Sequence, residues 1–163
     1  MDLLGNPENP LPLENARIKL VESVPAAHVE FFRQMPLYYE DEFALYVHAG
    51  LNNAGSHPKD IAADLLLWSR STEFFKNYNG KPCVFGHTPT LLLPLRGRLG
   101  RHGIYMSHSA IGLDTSGPPD APLSCLSLPD FMLYQSFPNG STGISQLNAF
   151  LPEPLRALKK SYR

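Results

Sequence analysis

Apolar positions recur at helical spacing between Glu14 and Val24, at Ala16, Leu20, Val21 and Val24. A second helix is predicted from Pro25 to Met35, where Ala27, Val29, Phe31, Phe32 and Met35 follow a proline in the first turn and Pro36 stops the run. The period then changes. Tyr38 to Val47 places aromatic and branched residues on either side of a short acidic run, a pattern predicting strand, acidic turn and strand, with His48 closing the second strand. Ile61, Ala62, Leu65, Leu66 and Trp68 predict a helix over Pro58 to Trp68 with Ser56 as its N-cap, and Lys81 to Phe85 reads as a short buried strand that delivers Gly86-His87-Thr88. Short strand-like runs follow at Ile104 to Ser107, Ile111 to Leu113, Leu123 to Leu128 and Phe131 to Gln135. Strands after a mainly helical opening predict an α/β (α+β) layered domain over 14–135. An irregular, proline-containing arm (1–13) precedes it, and a loop-like tail with room for a short helix (136–163) follows.

Composition narrows the picture. A chain of 163 residues with 43% hydrophobic and 18% charged residues suits one packed domain rather than a disordered segment. Fourteen basic against fifteen acidic residues leave a net charge of -1, so no general field attracts nucleic acid or an anionic membrane surface, and any anion recognition is local. No run approaches the ~20 apolar residues that span a bilayer, and Met1 to Gly5 has no signal-peptide pattern. Cys83 and Cys125 both sit in apolar runs, where a buried thiol behaves as a small hydrophobe, and a reducing, cytoplasmic setting is expected. Trp68 reads as a core anchor, and Asp60 with Asp64 as a solvated helix face.

Three pieces concentrate candidate chemistry: Val47-His48-Ala49-Gly50, Leu67-Trp68-Ser69-Arg70 and Phe85-Gly86-His87-Thr88-Pro89. A histidine at a strand end has its backbone held by the sheet, and an adjacent glycine leaves room for an ion beside the imidazole. Alone, each histidine is more often a hydrogen-bonded structural residue, and Arg70 a helix C-terminal cation; their order and company point to a site. His28, His57, His102 and His108 belong to no such pattern, and Asp114 suits a turn-forming acceptor at least as well as a site residue.

In that order the pieces resemble the C-terminal signature of the calcineurin-like metallophosphoesterases, closest to the bacterial serine/threonine protein phosphatase branch. The likeness takes in Leu37-Tyr38-Tyr39-Glu40, Ile111-Gly112-Leu113-Asp114-Thr115 and Leu123-Ser124-Cys125-Leu126, and covers roughly residues 25 to 130. It implies a layered metallophosphoesterase fold and a metal-dependent phosphoester hydrolase, with His48 and His87 as metal ligands and Arg70 gripping phosphate oxygens bidentately. The family uses two divalent ions, manganese, iron or zinc, ~3.5 to 4 Å apart, to clamp the phosphate and activate a water. A phosphoprotein or a small phosphoester is the implied substrate.

The family's Gly-Asp-x-His-Gly and Gly-Asp-x-x-Asp-Arg-Gly motifs do not occur here. Met1-Asp2-Leu3-Leu4 resembles the residues that follow its Gly-Asn-His-Glu, so the resemblance implies a form truncated at its N-terminus. Gly5-Asn6-Pro7-Glu8 imitates that motif with proline in place of the catalytic histidine, and Asn6 is the weakest ligand candidate. Without the remaining ligands and a general acid, a contribution of typically ~10² to 10⁴-fold, no catalytic residue is assigned and little activity is expected from the chain alone. A missing part of the sheet would also leave an exposed edge open to self-association. The competing expectations are a non-catalytic binding remnant of the fold and a nucleotide hydrolase of the diadenosine tetraphosphatase type.

Overall fold

The computed structural model describes residues 5–6, 9–10, 13–53 and 55–161, which divide into two compact units, 1–36 and 37–163. In the first unit β1 (Gly5–Asn6) pairs antiparallel with β2 (Asn9–Pro10), a minimal ladder where the sequence predicts only an irregular arm. Helices α1 (Leu13–Ser23) and α2 (Ala26–Gln34) follow. Pro25 is the N-cap of α2, and Met35 is extended (φ −65°, ψ 133°), as a residue before proline prefers to be. Of the apolar stripe, Leu20, Val21, Phe31 and Phe32 are exposed, whereas Ala16, Val24 and Val29 are half-buried. No described helix is long and apolar enough to cross a membrane.

The second unit is mixed α/β with two sheets. Its central sheet is built from β3 (Tyr38–Glu40), β4 (Leu45–Val47), β5 (Cys83–Phe85), β6 (Tyr105–Ser107) and β7 (Ala110–Gly112). In spatial order these run β3-β4-β5-β7-β6, with β4, β5 and β7 parallel and the two outer strands antiparallel. The second sheet is the antiparallel meander β8 (Leu123–Ser127), β9 (Met132–Ser136) and β10 (Thr142–Gln146).

Period-2 alternation sends the strand side chains to two cores. Leu45, Val47, Cys83, Phe85 and Tyr105 pack with Leu66, Phe74 and Phe75 of α3 (Ala63–Trp68) and α4 (Thr72–Asn77). Met106 and Ile111 point the other way, into a cluster with Phe131 and Leu133 and with Leu155 of α5 (Glu153–Ser161). Burying apolar side chains on both faces suits the parallel centre of the sheet.

Several expectations need correction. The helix predicted over Pro58 to Trp68 is two elements: Pro58–Asp60 forms a single 3₁₀ turn, Ile61 is extended and buried, and α3 begins only at Ala63. Ser56 is not its N-cap. His57 takes that place on the 3₁₀ turn, its Nδ1 accepting from the Lys59 N–H at 3.2 Å. Asp60 and Asp64 are both exposed but do not share a helix. Trp68 is 70% exposed rather than a core anchor, because the six-residue α3 turns Leu66 inward instead. Cys125 is exposed on β8, where Ser124 and Leu126 alternate with it. The tail is structured: β10 pairs along the whole of β9, and Leu147, Leu151 and Leu155 are buried.

Candidate metal and phosphate site

The carboxyl ends of β4 and β5 place the two candidate imidazoles side by side. After β4, the His48 carbonyl accepts the Gly86 N–H at 2.9 Å, and the Ala49 N–H donates to Leu66 at 2.9 Å, tying this strand end to β5 and α3. Gly50 follows at φ +108°, with Phe74 so close that an added Cβ would stand 2.5 Å from its ring. The positive φ and the contact both require glycine.

After β5 the chain turns sharply at His87, whose φ of +61° lies in the left-handed region, and the Thr88 N–H closes the turn on the Gly86 carbonyl at 2.6 Å. A non-glycine residue in that region costs roughly 1–2 kcal/mol. The turn directs the His87 ring at His48: the ring centroids lie 5.0 Å apart at 55°. Two imidazoles bound to one ion through nitrogens ~2.0–2.1 Å away place their centroids roughly 5 Å apart, so the spacing suits a shared cation. Trp68 and His87 make a T-shaped contact, their ring centroids 5.6 Å apart at 87°.

His87 Nε2 is buried and has no hydrogen-bond partner. Burial, then the positive charge of Arg70 and the neighbouring His48, hold the His87 pKa below its ordinary value against an opposing pull from Asp114. The neutral ring, the form that binds metal, is therefore favoured. Asp114 is chiefly a turn residue: Oδ1 accepts from the N–H and hydroxyl of Ser116 at 3.1 and 2.5 Å, and its carbonyl accepts the Thr90 N–H. Arg70 lies between α3 and α4, exposed, at the wall of a cleft of about 480 Å³ that also contains Lys76 and Thr88.

The structure thus brings His48, His87 and Arg70 to one end of the sheet. It does not add a third ligand: among the described residues no group of three His, Cys, Asp or Glu side chains can hold an ion. Two imidazoles and an orphaned ring nitrogen fit half of a metal site, and a complete two-ion centre does not fit the described residues. Met1 to Leu4 and the Asn6 side chain, and with it the Asn6 ligand candidate, lie outside the described residues. The other histidines stand apart: His57 Nε2 lies 3.2 Å from Glu40, His102 Nε2 lies 3.2 Å from Asp120, and His28 and His108 are exposed. A separate cleft of about 570 Å³ adjoins His102, Gln135 and Ser145 and contains none of the three site residues.

No known family model, curated protein or solved structure matches this chain. Its chemistry therefore rests on its own residues. Among these, sequence reading assigned no role to Lys76 or to the Thr88 hydroxyl, and took Trp68 as buried. The adjacency of Trp68 to Arg70 in Leu67-Trp68-Ser69-Arg70 was the available signal, since an element that sends Arg70 to the site carries its neighbours there too.

Proposed function

We propose that this chain carries the histidine and arginine half of a metal-dependent phosphoester hydrolase of the serine/threonine phosphatase type, on a layered calcineurin-like metallophosphoesterase fold. One observation carries the reading: His48 and His87 leave adjacent parallel strands at their carboxyl ends and bring their rings to 5.0 Å. In open α/β sheets that end of the strands is the usual place for a ligand. A divalent ion, when bound, supplies Lewis acidity and an activated water. His48 and His87 would hold it through neutral imidazoles. Arg70 binds phosphate oxygens through its planar fork, and Trp68 packs against His87 in a T-shaped contact.

Two ligands fall short of the three that a tight catalytic ion normally has, and none of the described residues at the pair is placed to protonate a leaving group. The same ligand count favours a second reading, a non-catalytic phosphate-binding remnant. The deciding test is hydrolysis of an aryl phosphate with manganese, first by the chain alone and then by a fusion that adds a segment carrying the three absent family motifs. Negligible turnover alone and metal-dependent turnover in the fusion, lost in His87→Ala, are expected. A fusion that binds two ions and hydrolyses no phosphoester would refute the enzyme reading in favour of the binding remnant.

A further inference from the structure

The Arg70 cleft adjoins the histidine pair through Thr88, which follows His87, and runs from there along Leu92 to Leu95. Phe75 is buried beneath it, whereas Leu92 and Leu95 stand 68% and 78% exposed along its other side. Exposed aliphatic side chains beside a cleft form an apolar seat that nothing in the second unit uses. Arg70 and Lys76 are the only charged residues lining the cleft, and neither makes an ion pair among the described residues. Glu73, the acidic residue nearest to them in sequence, is engaged by Asn77 Nδ2 at 2.9 Å. The lining of the cleft itself thus presents two cations and no carboxylate. Thr88, 4% exposed and one residue beyond His87, contributes a buried hydroxyl with no partner, a group that is costly to leave unpaired.

We propose that this cleft binds the stretch of a phosphopeptide flanking its phosphorylated residue, seating an aliphatic side chain against Leu92 and Leu95 and an acidic one at Lys76. The proposal rests on the phosphoester reading above and names the substrate class of the same site. With phosphate held at Arg70, the neighbouring peptide backbone lies beside Thr88, whose hydroxyl gains a carbonyl or N–H partner. Charge complementarity selects an acidic rather than a basic flank, and burial of an aliphatic side chain adds apolar contact.

The test is fluorescence polarisation of the full chain with labelled phosphoserine peptides carrying leucine and aspartate on either side of the phosphoserine. Matched peptides carry alanine or lysine instead, and inorganic phosphate and diadenosine tetraphosphate serve as competitors. The leucine and aspartate peptide is expected to bind about tenfold tighter than the alanine peptide, and more weakly without its phosphate. Lys76→Met should abolish the aspartate preference, and Leu92→Ser with Leu95→Ser the leucine preference, each read as the ratio of affinities between matched phosphopeptides, which cancels any change in phosphate affinity itself. All three side chains are exposed, so their replacement leaves the core intact. Phosphopeptides that bind through Arg70 regardless of their flanks would overturn the inference and leave the phosphate site standing. Absence of any phosphate-dependent binding would overturn both, and a clear preference for the dinucleotide would move the cleft to nucleotide recognition.

Discussion

The Gly86 N–H donates to the His48 carbonyl at 2.9 Å, so the two strand ends that carry the imidazoles are locked together one residue before the second ring. This backbone bond fixes the approach of the rings without help from any ion. It gives the pair the character of a preformed half-site.

A preformed pair of ligands should take up one zinc ion per chain, not two. Trp68 is the only tryptophan and lies against His87, so its fluorescence reports occupancy directly. His48→Ala or His87→Ala should weaken zinc binding by at least about tenfold, since loss of even an outer partner of a ligand costs 10–100-fold. Titrations that give two ions per chain, or that are indifferent to both substitutions, would contradict the half-site.

Gly50→Ala tests the backbone that follows His48. The new methyl meets the Phe74 ring at 2.5 Å while φ is +108°, and backbone strain plus overpacking should cost about 2–4 kcal/mol. Urea melts read this as a lowered midpoint with an unchanged slope. Gly55→Ala, with nothing within 4 Å of its Cβ, is the control and should melt close to the parent protein.

The legible parts of the fold were those with a clear period or a motif. The strands ending in His48 and Gly86-His87-Thr88 emerged because Leu45, Val47, Cys83 and Phe85 carry a buried alternation. Thr142 to Gln146 did not, because its lone large apolar residue, Ile144, is 66% exposed and the strand is held by backbone pairing to β9. Trp68 was misread for a related reason: helical spacing shows that residues share a face, not where a six-residue helix ends. His48, His87 and Arg70 were found as a set because their order in the sequence survives in space. Lys76 and the Thr88 hydroxyl carry no pattern, and only the cleft brings them together.

The two cysteines should separate cleanly in a thiol titration. Cys125 is exposed and should react at once, whereas Cys83, fully buried, should react only after unfolding. Burial pushes the Cys83 pKa up to about 12, above the ~8.5 of an unfolded thiol. Its neutral form is therefore the one the fold favours. That contribution is intact below the unfolded value and is lost as pH rises towards the folded one, at up to ~1.4 kcal/mol per unit. Denaturation of the parent chain and of Cys83→Ala at pH 8 and 10.5 isolates it: the parent should lose more stability than the variant. Equal losses would place the thiol in contact with water.

The C-terminal segment provides the sharpest test of the architecture, because sequence reading made it a loop-like tail with room for a short helix, and the structure has that helix at Glu153–Ser161 and makes it part of a core. Leu155 is completely buried in the cluster with Ile111, Phe131 and Leu133, and Leu147 and Leu151 lead into it from β10. Lys159 Nζ fastens the far end of α5 to the Asp130 carbonyl at 2.7 Å. Leu155→Ala should therefore cost about 2–5 kcal/mol, the range for a large-to-small change in a packed core. Lys159→Met, which keeps the aliphatic stem, should cost about 1–2 kcal/mol for the two exposed hydrogen bonds that Nζ donates to the Asp130 carbonyl and to Asn148 Oδ1. The loss should appear in the cooperative urea transition of the whole second unit, since Ile111 belongs to β7 at the centre of the sheet. A Leu155→Ala chain with the parent's midpoint would show that α5 is not part of the core and return the tail to its loop-like reading.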